Sequence, residues 1–240
     1  MGTVVSFSLI DALTSPREAL DVACAELHRI DELFSTFKPD SAVSQLRRGE
    51  LGPPELPADL EEVLARCQAA AEITNGWFDP WAMPGGVDPS GLVKGWAVDR
   101  VAAILRARGV RSALINGGGD IACFGPPPGE GPWRIGIRHP WRADALAAIV
   151  ECDGGAVATS GTYERGKHLI DPRTGAHRAA VASATVIGTD LALADALATA
   201  LAVAGDELLS CILELDGYEA HLVDWDGTEH TTPGTRLVRR

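Results

Sequence analysis

The feature that most constrains the fold of this chain is a stretch in its last quarter, residues 191–204, that is apolar at every position except Asp195 and Thr199. A helix that is apolar all round is buried in a protein core or spans a membrane. A membrane span needs roughly 18 or more apolar residues, and no stretch of this sequence approaches that length by our count, so no membrane span is predicted. We therefore predict a core helix enclosed by other elements.

The two polar residues of that stretch are candidate ligands. Asp195 and Thr199 lie four residues apart, and a helix places such residues on one face. A buried carboxylate needs a partner, which is either a bound divalent cation or, more simply, a helix N-cap or an Asp–Thr hydrogen bond. Because the stretch holds no cysteine or histidine, magnesium or calcium fits a cation site here better than zinc does.

The rest of the chain predicts an α+β fold with a mainly antiparallel sheet and packed helices, arranged over residues 1–240 as a single domain or two closely packed lobes. A Ser15-Pro16-Arg17-Glu18 capping box predicts a helix start, and further helices are predicted from residue 59 to Asn75-Gly76 and over 95–108. Proline and glycine predict irregular structure at 38–58 and 77–93. Strands are predicted at 3–10, 112–115, 121–124, 133–138, 147–152, 156–159, 182–187 and 220–225.

Charge and cysteine content restrict the partners. The formal net charge of −12 argues against a broad surface for nucleic acid or anionic membranes, although one local positive site still suffices for a small anionic ligand. The five cysteines are odd in number and widely spaced, which predicts free thiols and neither a disulfide framework nor a zinc site. No secretion signal is recognisable, so we expect a cytoplasmic protein.

Three loop motifs are candidate ligand sites. The glycine run from Asn116 to Asp120 suits a close approach to phosphate but lacks the spacing of a known fingerprint, and a tight turn between paired strands is the simpler interpretation. Asp88 and Lys94 stand just ahead of a predicted helix, where a phosphate or ribose contact and a solvated surface are equally good interpretations. His168 precedes an Asp-Pro and Thr-Gly turn, and it is either a proton carrier or a structural histidine.

Taken in order, eight segments resemble the ApbE family of flavin transferases. Each is a weak signal alone, and the resemblance depends on their number and order over residues 1 to about 200. The segments are Met1-Gly2-Thr3, Phe34-Ser35-Thr36-Phe37 with Asp40-Ser41, Gly76-Trp77-Phe78-Asp79-Pro80, residues 88–99, residues 116–120, Thr159-Ser160-Gly161, residues 168–175 and residues 194–199.

The resemblance implies a reaction and a site. FMN would pass from FAD to a Ser or Thr hydroxyl of an acceptor protein with release of AMP, Mg²⁺ would assist, and His168 would act as the base. The residues implied to contact FAD are Met1, Phe37, Trp77, Phe78, Asp79, Asp88 and Lys94. Those implied to bind Mg²⁺ are Gly91, through its carbonyl oxygen, Asp195 and Thr199.

Two features of the sequence depart from the family pattern. The chain begins at the Met-Gly-Thr motif without a lipoprotein signal, and Arg47 follows Leu46 where the family often has asparagine. The residues also leave two other functions open. One is an FAD pyrophosphatase that yields FMN and AMP, and the other is a non-catalytic FAD-binding protein.

Overall fold

The computed structural model describes residues 2–12, 15–161 and 169–238, with the side chain of residue 12 left out. Its strands form one seven-stranded sheet, ordered β1-β2-β3-β6-β7-β8-β9, and one two-stranded sheet, β4-β5, and every pairing is antiparallel. The α+β prediction is confirmed. The strands are β1 Val5–Ala12, β2 Val110–Gly117, β3 Asp120–Phe124, β4 Trp133–Arg138, β5 Leu146–Cys152, β6 Gly155–Gly161, β7 Ser183–Gly188, β8 Glu219–Val223 and β9 Glu229–Thr231.

The helices lie on one face of the large sheet and the β4-β5 hairpin lies on the other. Along β3, Ala122 and Phe124 belong to the core shared with the helices, whereas Ile121 and Cys123 contact the core of the hairpin. This alternation follows from the two-residue period of a strand that is buried on both faces. The helices are α1 Pro16–Phe34, α2 Ala42–Arg47, α3 Ala58–Ile73, α4 Ser90–Ala107, α5 Leu191–Ala204 and α6 Leu209–Leu213.

Helix α5 is the predicted core helix, with the bounds that the apolar pattern gave. Its residues are buried nearly throughout, and it packs against β6, β7 and α4. By length and composition alone, the described stretch Leu191–Leu213 is apolar enough to cross a membrane, so the expectation that no stretch approaches that length was wrong. Since 61% of its most apolar window is buried inside the protein, the stretch behaves as a core helix does.

Three local predictions were wrong. At these places burial and capping hydrogen bonds determine where helices begin, and local residue propensity does not. The Ser15 side chain makes no capping hydrogen bond. The proline-rich segment 38–58 contains α2, because the Ser41 side chain caps it and Val43 is fully buried. Helix α4 begins at Ser90 rather than at residue 95, since burial of Leu92 and its neighbours outweighs the weak helix propensity of the Ser-Gly pair.

Candidate functional site

A cavity opens where the first turns of α4 and the middle of α5 face the end of β6 and the loop that precedes α4. Eight of the residues that the sequence predicted for the site line this one cavity. They are Trp77, Phe78, Asp79, Asp88, Gly91, Lys94, Asp195 and Thr199. Residues from three separate parts of the chain therefore meet as the family resemblance implies.

The aromatic wall of the cavity depends on how α3 ends. Asn75 and Gly76 take positive φ angles of 50° and 78° and close the helix with hydrogen bonds from their amides to Glu72 and Ala71, as the Asn-Gly pair predicted. The hydroxyl of Thr74 accepts a hydrogen bond of 3.0 Å from the amide of Phe78. The chain turns sharply there, which buries the rings of Trp77 and Phe78 against the core.

Two arginines lie beside this wall. The guanidinium carbon of Arg173 is 3.6 Å from the ring centroid of Trp77, and that of Arg178 is 5.1 Å away. The carboxylate of Asp171 accepts a hydrogen bond from the backbone amide of Arg173 and pairs with Arg178 at 3.6 Å. Positive charge is therefore held at this end of the cavity in a chain whose net charge is −12.

The loop between Trp77 and α4 is fixed by its own aspartates. Oδ1 of Asp79 accepts hydrogen bonds from the amides of Trp81 and Ala82, and Oδ1 of Asp88 accepts one from the amide of Ser90. The amide of Asp88 donates to the carbonyl of Pro80 at 2.8 Å, which closes the loop. These two carboxylates thus shape the loop as well as lining the cavity.

At the floor of the cavity, Lys94 lies between two buried carboxylates. Its Nζ is 2.7 Å from Oδ2 of Asp120 and 3.8 Å from Oδ1 of Asp195. Burial raises the pKa of the Asp120 carboxyl above its ordinary value, and the ammonium of Lys94 opposes that rise. Oδ2 of Asp195 also accepts a hydrogen bond of 3.1 Å from the amide of Gly95, so α4 and α5 are joined at this point.

The same floor offers oxygen ligands for a hard cation. Thr199 lies one turn after Asp195 on α5, and its Oγ1 is 3.4 Å from the hydroxyl of Ser160 on β6. The backbone of Gly91 approaches so closely that an added Cβ would lie 3.3 Å from Oγ1 of Thr199 and 3.1 Å from the Phe78 ring. A carboxylate, hydroxyls and a backbone carbonyl form the donor set that Mg²⁺ or Ca²⁺ prefers, so these residues fit such an ion.

One predicted site residue lies away from the cavity, and two others fall outside the part of the chain that the structure describes. Phe37 is 96% exposed and is not part of the cavity lining, so its stacking on FAD stays a prediction. Met1 and His168 lie outside the described residues. Leu169, which follows His168 in the chain, does line the cavity, as does Ile170.

Asp120 belongs to the site, although the sequence motifs did not single it out. The glycine run forms the tight turn of the simpler interpretation, with Gly117 paired to Asp120 across β2 and β3 and the side chain of Asn116 accepting the amide of Gly119. The carboxylate that follows the turn is completely buried. An acidic residue within an otherwise apolar strand was the available signal, because such a residue needs a positive partner inside the protein.

Comparison with known proteins identifies relatives of the chain. The model of the ApbE family matches residues 1–85 and 82–222. The chain is 38% identical over 159 residues to the FAD:protein FMN transferase of Rhodobacter capsulatus. This match covers 62% of the chain and 30% of the relative. It is also 38% identical over 131 residues to the FAD:protein FMN transferase of Vibrio cholerae. That match covers 50% of the chain and 39% of the relative. The matched stretch thus spans about a third of the length of these relatives.

A solved structure shares this fold over nearly the whole length of both chains. The crystal structure of the ApbE protein of Thermotoga maritima superposes with a TM-score of 0.80 at 26% sequence identity. The superposition covers 96% of this chain and 93% of that chain. The elements that surround the cavity therefore belong to a shared fold.

Proposed function

The chain belongs to the ApbE family, and from that premise we propose that it transfers FMN from FAD to a Ser or Thr hydroxyl of an acceptor protein, releases AMP and requires Mg²⁺. The observation that carries the proposal is that eight residues named by the family motifs line one cavity. That cavity joins an aromatic wall to a floor of oxygen donors beside a buried lysine. An aromatic flavin or adenine and a charged pyrophosphate need those two surfaces.

The residues of the wall and floor divide the binding of FAD between them. Trp77 and Phe78 offer apolar surface to a ring, and the arginines beside Trp77 favour a negatively charged ligand. Lys94 carries a positive charge that Asp120 holds in a fixed place next to the cavity. Because that charge is fixed before the ligand binds, little reorganisation is required when a pyrophosphate arrives.

The proposed transfer is a displacement at phosphorus. The acceptor hydroxyl oxygen forms a bond to the FMN phosphorus, the bond from that phosphorus to the bridging oxygen breaks, and the electron pair leaves with AMP. Mg²⁺ held by Asp195, Thr199 and the carbonyl of Gly91 would supply charge neutralisation for the pyrophosphate. Lys94, whose Nζ lies 3.8 Å from Oδ1 of Asp195, would contact the same pyrophosphate.

His168 is proposed as the group that accepts the proton of the attacking hydroxyl. The chain position supports this role, because the residues that follow it, Leu169 and Ile170, line the cavity. An imidazole near its ordinary pKa accepts protons at neutral pH. The variant His168→Ala should keep FAD binding and lose transfer by roughly 10²–10⁴-fold, the usual contribution of a general base.

The test follows three products in one reaction. The purified protein is incubated with FAD and Mg²⁺, with and without a peptide that carries a Ser or Thr acceptor, and FMN, AMP and flavin-labelled peptide are measured by chromatography and mass spectrometry. AMP together with labelled peptide is the expected result. Free FMN and AMP in place of labelled peptide would identify a pyrophosphatase, and FAD that stays intact would contradict both activities.

A further inference from the structure

The side chain of Arg47 links α2 to the loop that forms one wall of the cavity. Its Nε donates a hydrogen bond of 2.7 Å to the carbonyl of Gly85, and its Nη2 donates one of 2.8 Å to the carbonyl of Pro84. A guanidinium can make such a pair because its donors lie in one rigid plane. Two successive carbonyls are therefore held by one side chain from a helix nearly forty residues earlier in the chain.

The loop is shaped around that side chain. Gly85 and Gly86 take φ angles of 81° and 101°, a region that other residues rarely adopt. An added Cβ on Gly85 would lie 2.5 Å from Nη2 of Arg47, and one on Gly86 would lie 3.5 Å from its Cγ. The two glycines thus let the backbone wrap closely around the arginine.

The held segment is part of the cavity wall. Met83 and Pro84 line the cavity, and Pro84 supplies one of the two carbonyls that Arg47 binds. Two backbone hydrogen bonds close the loop. The amide of Gly86 donates to the carbonyl of Met83, and the amide of Asp88 donates to the carbonyl of Pro80. Among the described residues, Arg47 provides the side-chain hydrogen bonds from outside the loop to this turn.

We propose that Arg47 is a positioning residue for FAD, which holds the Met83–Pro84 wall in the shape that the ligand contacts. The inference rests on the proposed function, since it takes FAD as the occupant of the cavity. A loop that is free to move must be ordered when the ligand binds, and that ordering weakens affinity. Arg47 removes this requirement in advance, and it does not itself line the cavity.

The chain contains a matched control in the next residue. Arg48 is exposed, and its guanidinium pairs with Glu50 on the surface at 2.6 Å. Arg48→Ala removes the same side-chain type from the same end of α2 without releasing the loop. Arg47→Lys is the conservative variant, because an ammonium offers donors without the planar fork and can satisfy the two carbonyls only in part.

The experiment measures FAD binding and loop mobility in the full chain. FAD affinity is determined without Mg²⁺ by quenching of flavin fluorescence, and KM and kcat are determined with Mg²⁺ and an acceptor peptide. For Arg47→Ala we expect Kd and KM to rise roughly tenfold, a change equal to about 1.4 kcal/mol, while kcat changes less than about twofold. Arg47→Lys should lie between Arg47→Ala and wild type, and Arg48→Ala should match wild type.

Hydrogen exchange provides a readout that does not involve FAD. In the ligand-free protein, the amides of Gly86 and Asp88 should exchange faster in Arg47→Ala than in Arg48→Ala, while amides of α5 stay unchanged. Unchanged exchange at both amides, or wild-type FAD affinity in Arg47→Ala, would overturn the role of Arg47 and leave the proposed function standing. A wild-type protein that fails to bind FAD would overturn both.

Discussion

Nζ of Lys94 lies 2.7 Å from Oδ2 of Asp120, a carboxylate that is completely buried at the start of β3. Oδ1 of the same carboxylate accepts a hydrogen bond of 3.2 Å from the amide of Thr159 on β6. The large sheet thereby fixes the position of a lysine on α4. The fold therefore sets where the ammonium of Lys94 lies in the cavity.

The variant Lys94→Met leaves the Asp120 carboxylate buried without its cation. Removing one partner of a buried ion pair destabilises proteins by about 3–5 kcal/mol, and we expect a loss of that size in urea unfolding. Adding Asp120→Asn to Lys94→Met should restore part of the lost stability, because the buried charge closest to Lys94 is then removed and only the more distant carboxylate of Asp195 still lacks the lysine. A double variant that is less stable than Lys94→Met would show that Asp120 has a different main partner.

The variant Thr199→Val keeps the shape of the side chain and removes one oxygen from the proposed cation site. We expect the Mg²⁺ concentration that gives half-maximal FAD turnover to rise at least about tenfold, with little change in stability. The matched control is Thr228→Val, because Thr228 is exposed in the turn between β8 and β9, does not line the cavity, and keeps the hydrogen bond from its amide to Asp226 in the variant. An equal Mg²⁺ requirement in the two variants would exclude Thr199 as a ligand.

The sequence predicted most of the fold, because the spacing of its apolar residues indicates which positions are buried. The bounds of α5 and of β4 were predicted to the residue, since an all-apolar helix and an alternating strand leave no other solution. Helix α2 and the early start of α4 were missed, because a buried Val43 and a buried Leu92 decide them. Propensity carries no information about such tertiary contacts.

For the site, the sequence predicted several residues but not the contacts between them. The family motifs named residues that reach the cavity, such as Asp195 and Lys94. They did not reveal that Asp120 pairs with Lys94 or that Arg47 holds the cavity wall. Those relationships join residues from distant parts of the chain, and only the folded arrangement brings them together.

Stability should depend on pH through Asp99. Burial, followed by the nearby charge of Asp190, raises the pKa of this carboxyl from 3.8 to about 6. A pKa raised in the folded state means that the stabilising contribution is complete below about pH 4, the pKa of an unfolded aspartate, and is lost as pH rises through 6. Between about pH 4 and pH 6, the free energy of unfolding therefore falls as the pH rises.

The variant Asp99→Asn tests that dependence and keeps an acceptor oxygen for the amides of Leu191 and Ala192, which donate to Asp99 at 2.7 and 3.1 Å. Relative to wild type, its free energy of unfolding should rise by up to about 3 kcal/mol from pH 4 to pH 7, because a tenfold change in proton affinity is worth about 1.4 kcal/mol. Urea unfolding of both proteins at each pH gives the difference. A difference that is constant over this range would contradict a raised pKa.

The close crossing of α4 and α5 depends on Gly95. An added Cβ there would overlap the carbonyl oxygen of Leu191 and lie 2.9 Å from Cα of Ala192, and backbone atoms cannot move aside as a side chain can. Gly95→Ala should therefore destabilise the protein by about 3 kcal/mol or more, in spite of the better helix propensity of alanine. Gly52→Ala is the control, because Gly52 has a φ of −118° and its added Cβ would meet only Pro54, at 3.9 Å.

The same substitution should also impair the site, because the amide of Gly95 donates to Oδ2 of Asp195 and the side chain of Lys94 starts one residue earlier. Separating the helices pulls this donor away from the carboxylate and shifts Lys94 relative to Asp195. We expect Gly95→Ala to weaken Mg²⁺-dependent turnover even at temperatures where circular dichroism shows a folded protein. Wild-type turnover under those conditions would mean that the helix crossing supports the fold and does not set the geometry of the site.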